Sequence, residues 1–308
     1  MEWEPIPTPP CQLGESPFWH PEEQSLYWID IVARKVYRHW FPAGPTESWD
    51  LPTEPGCIAP ARSGGLVISL RDGFYRARQW QGRLEPLALT DHDTKKIRFN
   101  DGKADPLGRF WAGTMYEPRD VACAKLFSLD CRRDNSLEGK PILQSMADGV
   151  VISNGLAWSP DNKTMYWADT PNHVIYSWDW EAKSNRISHR RLFYRASFKP
   201  NGWQAGQDGY LGRPDGAAVD EVGDYWVAMF EGSRLLKLTP KGHPSGELHL
   251  PFCCPTMPCF GGPDLRTIFV TSASYQRSPE ELHAFPLSGH IVAKRVGVPG
   301  LPVNYFED

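Results

Sequence analysis

The sequence predicts an all-β fold, a six-bladed β-propeller with four-stranded antiparallel blades. Three observations carry that reading: a short aromatic strand pattern recurs, turn formers are plentiful, and helical periodicity is weak throughout. The recurring strands are LYWID, GLVIS, RFWAG, MYWAD, DYWVA and TIFVT, centred on Trp28, Val67, Trp111, Trp167, Trp226 and Phe269 at intervals of 39, 44, 56, 59 and 43 residues. A propeller blade takes about 40–50 residues. Six such units fill residues 1–308, so a single propeller domain is expected.

Each element follows from that repeat. The central aromatic strands read as blade-to-blade packing, because Trp and Tyr bury large areas against neighbours. Further β-like runs follow them closely: Val36 to Trp40, Gly73 to Arg76, Leu126 to Leu129, Val174 to Trp178 and Leu235 to Leu238. Turn residues such as those of Arg71-Asp-Gly73 and Pro160-Asp-Asn162 fit antiparallel hairpins. The supply of turn and strand formers agrees: 27 Gly, 29 Pro and 13 Trp in 308 residues. Residues 196–213 form the one long irregular stretch, rich in Gly and polar side chains, and a segment of that kind is expected to roof a pocket.

Composition excludes some functions. A net charge of −4 and a pI near 6.2 offer no broad basic surface for nucleic acid. The seven cysteines are odd in number, lack a CxxC pair and lack zinc-finger spacing, so free thiols are expected. The start, MEWEPIPTPPC, carries acids and prolines where a signal peptide has a basic start and an apolar core. No stretch approaches about 18 apolar residues. The expectation is a cytoplasmic protein with a small-molecule partner, no nucleic acid and no membrane.

The chemistry lies upstream of the repeated strands. In RFNDGKADPLGRFWAGTM, residues 98–115, a dense polar cluster leads through a Pro/Gly turn into an aromatic strand, and Asn100 and Asp101 are the first candidates for a metal or substrate site. Comparison of the repeats shifts the metal duty elsewhere. Glu15 and Asn154 each stand 13 residues before their central Trp, while Asn100 and Asp215 each stand 11 before theirs. If every blade repeats one geometry, all four occupy equivalent places near the central axis and can meet in one site. Glu15, Asn154 and Asp215 offer only oxygen ligands, two of them anionic, which suits one hard divalent cation: calcium, magnesium or manganese. Zinc and ferrous iron are allowed but less favoured, because the set has no histidine or thiolate. Asp101 reverts to a turn or strand-capping residue. No GxSxG elbow is present, Cys57 has no evident histidine partner, and His20, His92 and His173 sit beside turn residues as surface or structural groups.

Five blocks, LGESPFW, RFNDGKADPLGRFWAGTM, SNGLAWSPDNKTMYWAD, RPDGAAVDEVGDYWVA and FGGPDLRTIFVTSA, resemble the regucalcin/gluconolactonase family of six-bladed propellers across nearly the whole chain. The resemblance implies one divalent metal ion held at Glu15, Asn154 and Asp215. It also implies substrate contacts from Arg98 and Asn100, and from a glutamate just beyond the AGTM block, matched here by Glu117. The implied activity is hydrolysis of a sugar lactone to its aldonic acid, with the metal polarising the carbonyl and Asp215 as the expected base. Two alternatives are organophosphate or aryl-ester hydrolysis on the same site and a non-catalytic calcium-binding regulatory role.

Overall fold

The computed structural model describes residues 2–132 and 140–308. Among the described residues, 24 strands form six four-stranded antiparallel sheets. The first five sheets are consecutive in sequence and span residues 14–50, 57–89, 97–150, 153–195 and 213–249. The sixth combines Pro255–Gly261, Thr267–Ser272 and Val292–Arg295 with Glu4–Pro5, which pairs antiparallel to Val292 and Ala293. One sheet is therefore built from both ends of the chain.

The innermost strands are Gly14–His20, Cys57–Pro60, Ile97–Ala104, Ser153–Trp158, Arg213–Val219 and Pro255–Gly261, and each contacts the next around a closed circle. The six aromatic repeats are the second strands of their blades. As expected, their central side chains are core: Trp28, Trp111, Trp167, Val67 and Phe269 are fully buried and Trp226 nearly so.

A buried indole N–H needs a partner, and the repeat supplies one locally. Trp111 Nε1 donates to Asp105 at 2.9 Å and Trp226 Nε1 donates to Asp220 at 2.9 Å, each carboxylate standing six residues before its Trp. The same carboxylates accept backbone N–H groups of their own hairpin turns, from Leu107 and Arg109 in one case and from Val222 and Asp224 in the other. Turn shape and core anchoring thus share one side chain. Trp167 uses Ser153 Oγ instead, at 2.6 Å, and Trp28 uses Cys11 Sγ at 3.3 Å.

Two features depart from the strand pattern. A short helix, Pro279–Ala284, interrupts the sixth blade, with the Ser278 side chain accepting from the N–H of Glu281 as its cap. At the mouth of the channel opposite the polar cluster, the end of the chain is tied down. Phe306 bridges to Ala61 and is buried, and Asp308 pairs with Arg76 Nε at 2.8 Å. All seven cysteines are free. No helix among the described residues is long and apolar enough to cross a membrane.

Asp220 gives a direct test of the turn-and-indole arrangement. Asp220→Ala orphans three donors, and each buried orphan costs about 1–3 kcal/mol, so a clearly lowered urea midpoint is expected. Asp264→Ala, at an exposed pair with Arg295, should leave the midpoint nearly unchanged. Equal midpoints for the two variants would show that the carboxylate does not anchor the blade.

Candidate active site

Five of the six innermost strands carry a one-residue bulge where they approach the channel, at Ser16-Pro17, Asn100-Asp101, Gly155-Leu156, Asp215-Gly216 and Thr256-Met257. The second blade, whose innermost strand has four residues, pairs regularly. A bulge breaks the alternation of side chains and re-aims them. Here it turns polar residues toward the axis.

Glu15 and Asn154 are the last paired residues before their bulges, opposite Ile29 and Ala168. Asn100 and Asp215 lie inside theirs, after Phe99 and Pro214, which pair with Thr114 and Met229. The expected common place is therefore two places. In the third and fifth blades the bulge falls two positions farther along the neighbouring strand, measured from the central Trp. Gly155 shows why the first bulge position of the fourth blade has no larger residue. Its φ is +61°, and a Cβ there would stand 2.3 Å from the Tyr225 hydroxyl, which donates to Gly155 O at 2.6 Å.

Both classes of position nevertheless face the same cavity. It measures about 710 Å³, and its lining includes Glu15, Arg98, Asn100, Glu117, Asn154 and Asp215, so all six expected site residues meet there. A chain of hydrogen bonds links several of them. Arg98 Nη1 donates to Asn100 Oδ1 at 2.9 Å, Asn100 Nδ2 to Asn154 Oδ1 at 3.0 Å, Asn154 Nδ2 to Thr170 Oγ1 at 2.7 Å, and Thr170 Oγ1 to Pro214 O at 2.7 Å. This chain fixes the side-chain amide of Asn154 at both ends, its oxygen accepting from Asn100 and its nitrogen donating to Thr170. It also makes Arg98 and Asn100 part of the same rigid unit.

The electrostatics of the centre are unbalanced. Burial raises the Glu15 carboxyl well above its ordinary value, and the negative charges of Asp215 and Asp101 add to the shift. Asp215 is raised in the same way, by burial and by Asp101. Glu15 receives one backbone N–H, from Ser16 at 3.2 Å, and no hydrogen-bond donor reaches the Asp215 carboxylate among the described residues. Buried anions without donors or close counter-ions are costly. Two carboxylates and an amide oxygen in this state match a hard divalent cation.

Asp101 has a different task. Its Oδ2 accepts the N–H of Leu156 in the next blade at 2.8 Å, its Oδ1 has no partner, and Lys103 is the nearby charge that draws its pKa down against burial. Instead of the expected turn closure or strand cap, it satisfies a bulge N–H in the middle of the neighbouring blade's innermost strand. Glu117 is the most solvent-accessible of the expected set, gripped by Arg71 through two bonds of 3.0 and 3.1 Å and standing 3.8 Å from Arg98.

Several lining residues escaped the sequence reading: Glu54, Arg71, Arg119, Thr170, Lys199, Arg213 and Arg277. One carried a signal, because Arg213 stands 13 residues before Trp226 just as Arg98 stands 13 before Trp111. The others come from outer loops without a repeated spacing. The irregular stretch 196–213 contributes Lys199 and Arg213 to one wall. His173 also lines the cavity, but both ring nitrogens are engaged, with Pro171 O at 3.1 Å and the Tyr210 hydroxyl at 2.7 Å, so it acts as a pillar. Cys57 is buried beside Ser69 Oγ, and burial pushes its thiol well up, which is the opposite of an activated nucleophile. Cys253, Cys254 and Glu281 also cluster, but Glu281 is already held by Arg277 at 2.7 to 2.9 Å.

Comparison with known proteins gives the lineage. The chain is 42% identical over 299 residues to the 6-deoxy-6-sulfogluconolactonase of Pseudomonas putida, covering 96% of each. It is 34% identical over 301 residues to the regucalcin of Gallus gallus, covering 96% of this chain and 95% of that protein. Its fold superimposes on the crystal structure of a calcium-binding protein, regucalcin, from Agrobacterium tumefaciens with a TM-score of 0.87 at 22% identity, covering 99% and 97% of the two chains. The SMP-30/Gluconolactonase/LRE-like region matches residues 13–274, and this chain belongs to that family.

Proposed function

We propose that this protein hydrolyses the ring ester of a sugar lactone to the corresponding aldonic acid in the 710 Å³ cavity, with a divalent cation held by Glu15, Asn154 and Asp215. One observation carries the reading. Two buried, donor-poor carboxylates share a wall with an Arg98–Asn100–Asn154 hydrogen-bond chain, so a cation position and a hydroxyl-binding position are built as one piece. When bound, the cation supplies Lewis-acid polarisation of the ester carbonyl and a counter-charge for the developing oxyanion.

The remaining steps belong to the chain's own side chains. Arg98 keeps Nη2 without a protein partner among the described residues, and it can donate to ring hydroxyls. Asn100 fixes the direction of that guanidinium, and Glu117, steered by Arg71, accepts from a hydroxyl on the same side. These contacts orient the ester, which is the positional part of catalysis. Burial and the charge of Asp101 raise the proton affinity of Asp215, suiting it to take the proton of the attacking water. That proton then passes to the departing ring oxygen, the C–O bond opens, and the acid and alcohol of the open-chain product balance the water consumed.

The cavity's polar lining and the family both favour a polyhydroxylated lactone over a phosphotriester or aryl ester. The relative from Pseudomonas putida is named for a lactone bearing a sulfonate, so charged aldonolactones belong in the panel alongside neutral ones. A purely regulatory calcium-binding role predicts cation binding without acid release from any lactone.

Proton release from aldonolactones should vanish on chelation and return when single divalent cations are restored; indifference to every cation would defeat the reading. Asp215→Asn should lower kcat by about a hundredfold or more, and full turnover with the cation still bound would exclude Asp215 as base. Arg98→Ala should raise KM by about tenfold or more while cation binding persists. Loss of the cation instead would place Arg98 in the metal centre.

Stability offers an independent check. In the cation-free protein Glu15 and Asp215 have folded pKa values above their unfolded ones. Their contribution is therefore present at acid pH and lost as pH rises through the folded values. The Tm gain from a saturating divalent cation should grow as pH rises from the ordinary carboxylate range through the raised folded values, and Asp215→Asn should remove most of that growth. A gain independent of pH would remove these carboxylates from the ligand set.

A further inference from the structure

The cavity wall carries an excess of positive charge that the ester chemistry leaves unused. Six cationic side chains line it, Arg71, Arg98, Arg119, Lys199, Arg213 and Arg277, against four carboxylates, Glu15, Glu54, Glu117 and Asp215, in a chain whose net charge is −4. Glu15 and Asp215 are committed to the cation. The remaining balance is positive.

That excess is unevenly distributed. On the side of the fifth and sixth blades every cation already touches a carboxylate. Glu231 receives Lys199 at 3.0 Å, Arg277 at 3.1 Å and Arg213, and Glu281 holds Arg277 again. On the side of the second and third blades Arg71 is likewise satisfied, by Glu54 at 3.0 Å and by Glu117. Arg98 and Arg119 are not. Arg98, whose side chain is 11% exposed, has Glu117 as its carboxylate neighbour at 3.8 Å, beyond hydrogen-bond reach, and its Nη2 donates to no protein acceptor among the described residues. Arg119 makes no side-chain hydrogen bond or ion pair among the described residues. It sits at the end of a turn closed by its own N–H on Tyr116 O, at a φ of +63°, a conformation that a non-glycine residue holds at some cost.

We infer that Arg98 and Arg119, backed by Arg71, form a subsite for a fixed anionic substituent on the lactone: a sulfonate, phosphate or carboxylate carried away from the ester. The inference rests on the lactonase reading and narrows its substrate class. Burial, together with repulsion from the neighbouring Arg71 and Arg119, holds Arg98 down to about 10. A tetrahedral or planar anion accepts from two guanidinium groups at once and relieves that repulsion. A hydroxyl uses one donor and leaves the charge unbalanced. Arg119 lies on the outer connection after Phe110–Tyr116, Arg71 on the turn after Leu66–Leu70 and Arg98 on the innermost strand of the third blade, whereas the cation ligands come from innermost strands of the first, fourth and fifth blades. The groups that receive the anion and those that hold the cation therefore come from different blades.

The test compares gluconolactone with its phosphorylated form, phosphogluconolactone, by cation-dependent proton release in the wild type, Arg119→Met and Lys199→Met. The wild type should favour the charged lactone in kcat/KM by about tenfold or more, and added salt should raise KM for that lactone more than for the neutral one. Arg119→Met should reduce the charged-to-neutral ratio by about tenfold, chiefly through KM, whereas Lys199→Met, whose charge is already paired, should change it by less than about twofold. A wild-type ratio at or below one, or a ratio that falls with Lys199→Met and not with Arg119→Met, overturns the subsite while leaving lactone hydrolysis intact. Absence of acid release from either lactone with every cation defeats the lactonase reading instead. The subsite is then judged by thermal shift: phosphogluconate must raise Tm more than gluconate in the wild type and not in Arg119→Met, and equal shifts overturn it.

Discussion

The antiparallel pairing of Glu4–Pro5 with Val292 and Ala293 stitches one end of the chain onto the last sheet and closes the circle of six. Closure matters because no blade alone holds a site. Glu15, Asn154 and Asp215 belong to the first, fourth and fifth blades, and Arg98 with Asn100 to the third. Only a closed ring brings their innermost strands around one axis, and only a rigid ring keeps two like-charged carboxylates buried close together. The fully buried Trp28, Trp111 and Trp167 supply that rigidity between sheets.

Within the ring, the bulges convert a regular scaffold into a binding centre. A regular strand sends alternate residues to opposite faces of its sheet, into the neighbouring blades. One extra residue per innermost strand breaks that alternation at the channel and frees polar groups to face it. The electrostatic cost is concentrated at Glu15 and Asp215, where burial and neighbouring carboxylates favour the neutral form. The same imbalance raises the proton affinity of Asp215 and leaves both carboxylates short of positive partners. Structural cost and chemical capability have one origin here.

Around this centre the walls divide the remaining labour. The wall of the fifth and sixth blades is an ion-pair network in which Glu231 gathers Lys199, Arg213 and Arg277, so its charges are spent on holding the irregular stretch 196–213 and the helix against the ring. The opposite wall keeps donors in reserve at Arg98 and Arg119. Arg119 stands on a connection, while Arg98, Asn100, Glu15, Asn154 and Asp215 all stand on innermost strands.

The repeat of six aromatic strands, the turn residues between them and the spacing of polar groups ahead of each Trp were enough to read the blade number, the strand pattern and four of the residues that meet in the cavity, Glu15, Asn100, Asn154 and Asp215, while Arg98 and Glu117 came from the family resemblance. They were readable because a propeller repeats one local geometry, so linear spacing maps onto angular position. The residues that escaped, Arg71, Arg119, Lys199 and Arg277, lie on connections whose length differs from blade to blade, and no periodicity marks them. The split of the four axial positions into two registers was also hidden, because a bulge is a property of paired strands and neither strand's own residues specify where the extra one falls. Which arginines are neutralised and which stay available depends on contacts between residues as far apart as Lys199, Glu231 and Arg277. Composition counts those charges, and only the closed ring pairs them.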